Sequence, residues 1–464
     1  MKNTNCTDDF LNALPGRVSV LGAARSGIAA ARFFTDRGVP VFISDVCGEK
    51  KLAEILNREN ITVQSEANGH SDQILESDLI ILSPGIRSDI EILKKARNNG
   101  VPVWSEIELG YRASRAKFLA VTGSTGKSTT VSLLAEALLS AGKQAVAAGN
   151  IGLPLISVSP GLSEQAYVVA EVSSFQLETI DRFRPAVSAV LNLMKNHLDR
   201  YENENEYYEA KKNIAANQTP DDILVLNMHE FRLREWAEQI GGRVRVVWFG
   251  AENYGEECFY ISGGDVVYRF NGSEGKIVAL KEIKLKGEHN YLNVCAAAAI
   301  AVASGVSATD IAKGLCSFAG LSHRLEFVAE IDGVGFYNDS KATTAESVAC
   351  AVGAFDGGVH LIAGGRDKGC DFQKIKSNIA GKVKNIALIG EASERIETVL
   401  KDVAPIKKFS SLTEAVEFSA ANAKRGEQVV FSPGCSSFDM FNSFEHRGEI
   451  FKELVKALCG EKIA

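Results

Sequence analysis

Short apolar runs recur along this chain, and most end in a cluster of Gly, Ser, Thr, Asn or Asp. That alternation predicts repeated strand, loop and helix units. Residues 17–21 (RVSVL) predict a buried strand, followed by Gly22-Ala23-Ala24-Arg25-Ser26-Gly27 and a helix through Phe34. A second strand at 41–44 ends at Asp45, a third at 79–82 stops at Ser83-Pro84-Gly85, and a fourth covers 101–104. Apolar strands follow at 118–121, 167–172 and 187–193, with a loop, Gly149-Asn150-Ile151-Gly152, after a shorter one. A charged helix is expected over 204–216, and residues 285–290 lead into an alanine-rich helix holding Asn293. Beyond Leu321, runs at 326–331 and 334–338 flank Asp332-Gly333, a hairpin signal. Runs at 359–363, 386–389 and 428–431 then each stop at glycine or Ser-Pro-Gly. Polar loops after strand C-termini are where parallel sheets carry ligands.

One of these loops carries chemistry by itself. Residues 118–130 read FLAVTGSTGKSTT, a strand running into a glycine turn and then a helix with Leu133, Leu134, Ala137 and Leu138 on one face. A tight turn is the plainer reading, but a Gly-Lys-Ser-Thr cluster at a helix start directly after a strand fits a phosphate cradle. Backbone N–H groups and the helix dipole attract the anion, and Lys127 adds a point charge. Ser128 is the residue type that binds the Mg²⁺ of a nucleoside triphosphate. The first glycine of the usual frame is absent, and Val121 stands there. Glu171, near the end of an otherwise apolar strand, suits a Mg²⁺ carboxylate; its alternative is an acid facing solvent. Lys211 and Lys212 read on chemistry alone as a solvated helix face. The N-terminal βαβ unit has Ala24 where a dinucleotide fingerprint needs its second glycine, so a nucleotide diphosphate fits there as well as a dinucleotide.

Composition narrows the partners. The chain has 464 residues, 45% hydrophobic and 23% charged, with a net charge of −7, which gives no attraction to nucleic acid or membrane. Nine cysteines lie scattered without a Cys-x-x-Cys pair, which suits a reducing compartment. The N-terminal ten residues lack a signal-peptide pattern and no apolar run approaches a membrane span, so a cytoplasmic protein is expected. The reading is an α/β fold of three domains. Residues 1–105 form a Rossmann-like N-terminal domain, 106–320 a central P-loop ATPase-like mononucleotide-binding domain, and 321–464 a C-terminal Rossmann-like domain.

Four further stretches carry a resemblance: Glu171-Val172-Ser173-Ser174-Phe175-Gln176-Leu177-Glu178, HLDRY at 197–201, NDSKAT at 338–343, and SPGCSSFDMFNSFEHRG at 432–448. With the phosphate loop they make nearly the whole chain resemble the Mur ligases, three-domain ATP-dependent amide-forming enzymes of peptidoglycan precursor synthesis. The last two stretches resemble the branch that adds D-glutamate to UDP-N-acetylmuramoyl-L-alanine. Thr125, Asn196 and Thr344 depart from residues common in the family.

The resemblance implies that a carboxylate attacks the γ-phosphate of ATP, and that the amine of D-glutamate then attacks the acyl phosphate through a tetrahedral intermediate. It implies Gly123, Ser124, Thr125, Gly126, Lys127, Ser128 and Thr129 on the phosphates, and Asn290, Asn293, Arg324 and Asp339 on adenine and ribose. Two Mg²⁺ ions are expected, on Ser128 and Glu171 and on His197, with Lys211 carbamylated to help bind the second. Arg25, Ser26, Asp45, Val46 and Gly85 would take the UDP end of the sugar nucleotide, and Asn150, Ser173 and His197 its sugar–alanine end. Lys341, Thr343, Lys368, Ser437, Phe438 and Phe444 would take D-glutamate, although Lys368 alone reads as a surface turn. The third domain is expected to rotate inward when ATP and the sugar nucleotide bind. Rival readings are a relative adding a different amino acid or glutamate to folate, a P-loop motor or regulatory NTPase, and a Rossmann oxidoreductase. Oligomeric state is not legible, and a monomer is compatible.

Overall fold

A computed structural model describes residues 3–194, 200–285, 287–367 and 369–460. The chain forms two compact units, one of Met1–Ile283 with Leu292–Ser317 and one of Lys284–Tyr291 with Phe318–Ala464.

The first unit holds two sheets. β1 (Val18–Leu21), β2 (Val41–Ser44), β3 (Gln64–Glu66), β4 (Leu79–Leu82) and β5 (Val103–Ser105) pair in the order β3-β2-β1-β4-β5. All four pairings are parallel. β1, β2 and β4 are buried along their whole length, which is why they read as continuous apolar runs rather than alternating ones. Strand order reverses between β1 and β4, so a crevice opens at their C-terminal ends. Gly22 (φ +95°) makes the turn there, and Gly27 sits in the first turn of the helix that follows. A Cβ on Gly27 would stand 1.8 Å from the Gly22 carbonyl, so only glycine lets the helix Arg25–Thr35 start so close to the sheet.

The second sheet comprises β6 (Lys117–Thr122), β7 (Ala145–Gly149), β8 (Tyr167–Glu171), β9 (Val187–Val190), β10 (Ile223–Asn227), β11 (Arg245–Phe249), β12 (Cys258–Ser262), β13 (Asp265–Phe270) and β14 (Ser273–Ala279). Their order is β14-β13-β12-β11-β10-β9-β6-β8-β7. β6 lies between β8 and β9, parallel to both. The antiparallel meander β12-β13-β14 was not expected from the sequence. The predicted strand at 187–193 and helix at 204–216 are also shorter. The helix is Glu204–Lys212, followed by a 3₁₀ turn.

The second unit holds β15 (Glu326–Ile331), β16 (Val334–Asn338), β17 (Val359–Gly364), β18 (Val383–Ile389), β19 (Ile406–Lys408) and β20 (Gln428–Phe431) in the order β15-β16-β20-β17-β18-β19. The expected hairpin joins β15 to β16, with Asp332 (φ +54°) and Gly333 (φ +82°) supplying the two left-handed residues that such a turn requires. The other pairs are parallel, so the loops after β16, β17 and β20 emerge side by side.

Candidate active site

The phosphate loop takes the shape its sequence implies. β6 runs into Gly123 (φ +153°), Gly126 (φ +80°) begins the helix Lys127–Ser140, and a Cβ on Gly126 would stand 2.5 Å from Asn293 Oδ1. Asn293 is thereby brought against the loop, on the buried side of the helix Glu288–Ala303. Lys127 Nζ donates to the carbonyls of Gly123 (2.8 Å) and Ser124 (3.2 Å). Thr125 is exposed and Thr129 buried.

Lys211 reaches the same carbonyl from another helix. Asn203 caps its helix by accepting from the Glu206 N–H, and Tyr207, Tyr208, Ala210 and Lys211 form the buried face. Lys211 is 1% exposed, its Nζ donates to Gly123 O at 3.0 Å, and it lies 4.5 Å from the Tyr207 ring centroid. Burial, then the neighbouring charge of Lys127, holds its pKa well below the ordinary lysine range, and Glu171 pulls the other way. The plainer reading of a solvated face describes Lys212, which pairs with Glu209, and not Lys211.

Glu171 does not face solvent either, being 3% exposed at the end of β8. Its Oε1 accepts from Asn150 Nδ2 (2.9 Å), and its Oε2 is buried without a hydrogen-bond partner. An orphaned buried carboxylate oxygen beside a phosphate loop fits a cation. Among the described residues no group of three or more His, Cys, Asp or Glu side chains assembles around it. Ser173 caps the short helix Ser174–Leu177 in a reciprocal capping box with Gln176. His197 lies outside the described residues.

Two residues that sequence reasoning missed brace the loop. Asn192 Oδ1 accepts from the N–H groups of Ser124 (3.0 Å) and Thr125 (2.9 Å). Tyr207 OH is 3.2 Å from Ser124 Oγ. A polar residue just past β9, next to β6, was the signal available for Asn192.

The N-terminal residues gather at the C-terminal edge of the first sheet. Arg25 and Ser26 open a helix, Gly85 follows β4, and Val46 is 67% exposed. Burial would raise the Asp45 carboxyl, but N–H donors from Ala23 (2.6 Å) and Cys47 (2.8 Å) outweigh it and leave its pKa below the ordinary value.

In the second unit the loop after β16 meets the loop after β20. Asp339 accepts from Ser432 Oγ (2.7 Å) and Leu325 N–H (3.1 Å), next to Arg324, and burial pushes its pKa up to about 7. Ser340 Oγ donates to Phe444 O (2.8 Å), and Lys341 Nζ lies 5.4 Å from the Phe444 ring centroid. Thr343 is exposed, Ser437 buried and Phe438 57% exposed. Asn290 sits at the start of its helix, its N–H on Gly287 O. Lys368 lies outside the described residues. Arg447, not singled out from the sequence, is fully buried. It donates to Ser340 Oγ (3.0 Å), Ser340 O (2.7 Å) and Cys435 O (3.1 Å), tying the two loops together.

Three family signatures match in chain order: a Mur ligase MurD-like N-terminal domain at 16–105, a Mur ligase middle domain at 121–301, and a Mur ligase glutamate ligase domain at 323–435. The chain belongs to the Mur ligase family. Among curated Mur ligases it is 40% identical to the UDP-N-acetylmuramoylalanine–D-glutamate ligase of Acidobacterium capsulatum, over 96% of this chain and 97% of that one. It is 41% identical to the enzyme of the same name from Geotalea daltonii, over 96% and 98%. The fold is shared with the Thermotoga maritima UDP-N-acetylmuramate-alanine ligase MurC, at a TM-score of 0.58 and 19% identity over 95% of this chain and 99% of that one. A MurF ligase from the same organism, solved with ADP, also has a TM-score of 0.58, at 16% identity over 90% and 95%.

Proposed function

We propose that this chain joins the L-alanyl carboxylate of UDP-N-acetylmuramoyl-L-alanine to the amine of D-glutamate at the expense of ATP, in the cytoplasm. The observation that carries the reading is the cluster at Gly123. A charged Lys127 and a buried Lys211 converge on one carbonyl, beside the orphaned Oε2 of Glu171.

A free carboxylate is a poor electrophile, so its oxygen must first become part of a leaving group. A carboxylate oxygen attacks the γ-phosphorus, the bond to the bridging oxygen breaks, and ADP departs. The neutral amine nitrogen of D-glutamate then attacks the acyl carbon. The tetrahedral adduct collapses with loss of a proton from nitrogen and of inorganic phosphate.

Within this scheme the N–H groups at the start of the helix Lys127–Ser140 receive phosphate oxygens, and Lys127 turns from the loop carbonyls toward them. Ser128 and Glu171 would hold one Mg²⁺, with Asn150 orienting Glu171, and His197 would hold a second. Bound Mg²⁺ offsets the repulsion between triphosphate and carboxylate. Lys211 in its neutral form would react with CO₂, nitrogen bonding to carbon with loss of a proton, to give a carbamate able to help hold the second ion. Arg25, Ser26, Asp45, Val46 and Gly85 bind the UDP end, and Asn150, Ser173 and His197 the sugar–alanine end. Asn290, Asn293, Arg324 and Asp339 bind adenine and ribose. Lys341, Thr343, Lys368, Ser437, Phe438 and Phe444 bind D-glutamate.

The test is phosphate release from ATP with each co-substrate omitted in turn. Release and a new amide are expected only with both the sugar nucleotide and D-glutamate. Equal ATP consumption without them would mark a P-loop hydrolase and end the reading. Faster release with another amino acid would move the chain to a different branch.

A further inference from the structure

The two residues that follow the segment outside the described residues have no part in the roles above, yet they are tightly engaged. Arg200 donates to Pro84 O (2.7 Å) and Ile86 O (3.0 Å), the two carbonyls flanking Gly85. Its guanidinium lies 3.9 Å from the Phe175 ring centroid and 3.3 Å from Glu178 Oε2. Glu178 in turn accepts from Ser88 Oγ (2.6 Å) and, through its other oxygen, from Tyr201 OH (2.6 Å). One carboxylate therefore ties the loop after β4 to the segment that begins with Ser173. Both charged side chains are largely withdrawn from water, at 11% and 16% exposure.

The geometry points to Arg200 as a positioning residue for the sugar nucleotide. It grips the Gly85 loop from behind and sets that loop's distance from the Ser173 segment. The inference rests on the proposed assignment of Gly85 to the UDP end and Ser173 to the sugar–alanine end. Gly85 is exposed, and a Cβ there would meet nothing within 4 Å, so its outer face is open to a ligand. The loop's inner face is held by the planar fork of Arg200, whose donors diverge onto two carbonyls while its flat face stacks on an aromatic ring. An ammonium has neither the fork nor the flat face.

The experiment measures binding of UDP-N-acetylmuramoyl-L-alanine and of ADP to the full chain by calorimetry, for the wild type and for Arg200→Ala, Arg200→Lys and Glu178→Gln. Arg200→Ala should weaken sugar-nucleotide binding by about tenfold or more, while ADP binding stays within about twofold. Arg200→Lys should fail to restore the loss, and Glu178→Gln should give a smaller one in the same direction. An unchanged sugar-nucleotide affinity in the arginine variants would overturn the inference, and so would equal loss of both ligands. Should Arg200→Ala not fold, the same contrast is read from the lysine and glutamine variants. A wild type that binds ADP but no sugar nucleotide would instead remove the functional reading itself.

Discussion

Replacing Lys211 with methionine tests the electrostatics of the site. The side chain is 1% exposed, and methionine fills a similar volume without charge. The unfolded chain keeps the lysine proton up to about pH 10.5, whereas the folded chain releases it at lower pH because of burial and Lys127. Between those two pKa values the unfolded state binds more protons, so stability rises with pH. At about 1.4 kcal/mol per pH unit, shedding that proton near pH 7.5 costs folding at most about 4 kcal/mol. The hydrogen bond that the neutral amine donates to Gly123 O returns about 1 kcal/mol. Lys211→Met should therefore be neutral or stabilising by up to about 3 kcal/mol near pH 7.5, and its advantage should shrink as pH approaches 10. Ligation should fall by about 100-fold or more, because the proposed carbamate has no amine to form on. The assay is the denaturant midpoint of both proteins at about pH 7.5 and about pH 9.5 in CO₂-free buffer, beside co-substrate-dependent phosphate release. A variant less stable by the same amount at both pH values would refute burial of the amine as the cost. Near-normal turnover would remove Lys211 from the chemistry.

Two further outcomes follow from single contacts. Gly126→Ala forces a left-handed residue, worth about 1–2 kcal/mol, and pushes a methyl to 2.5 Å from Asn293 Oδ1. ADP affinity should drop by about tenfold or more, and an unchanged calorimetric Kd would show that the loop tolerates the change. Asp339, with its pKa raised from 3.8 to about 7 by burial, keeps a proton in the folded state across a range where the unfolded chain has lost it. Wild-type stability should accordingly fall as pH rises from about 4 to about 7, by at most about 4 kcal/mol. Asp339→Asn should lack that slope, and parallel slopes in denaturant titrations would contradict the burial argument.

What the sequence disclosed depended on whether backbone or tertiary packing does the work. The phosphate loop was legible because its function lies in glycine φ angles and N–H groups, which the residues at 123–129 specify locally. On chemistry alone Lys211 was not, and only the family resemblance singled it out, because a lysine in ENEYYEAKK looks solvated until the i to i+4 contact with Tyr207 and the Gly123 carbonyl are seen. Tertiary packing likewise hid Asn192 and Arg447, whose partners Thr125 and Ser340 lie 67 and 107 residues away in sequence. The missed meander is different, since its turns were on display. Gly263-Gly264 and Asn271-Gly272 all have positive φ, the requirement of two-residue hairpins between β12, β13 and β14.

A chain of net charge −7 must hold several anionic groups, so the way its site cations are partnered matters. On the surface, cations sit against carboxylates, as Arg58 does on Glu59 and Lys408 on Glu394 and Glu397. Arg447, buried in the second unit, instead donates to Ser340 and the Cys435 carbonyl. A carboxylate would orient a guanidinium and also cancel its charge, whereas a carbonyl orients it without cancelling it. Arg200 is the informative intermediate, with two carbonyls, a ring and one carboxylate. Its charge is largely spent inside the protein, which fits a group that shapes a binding loop rather than one that touches the anion.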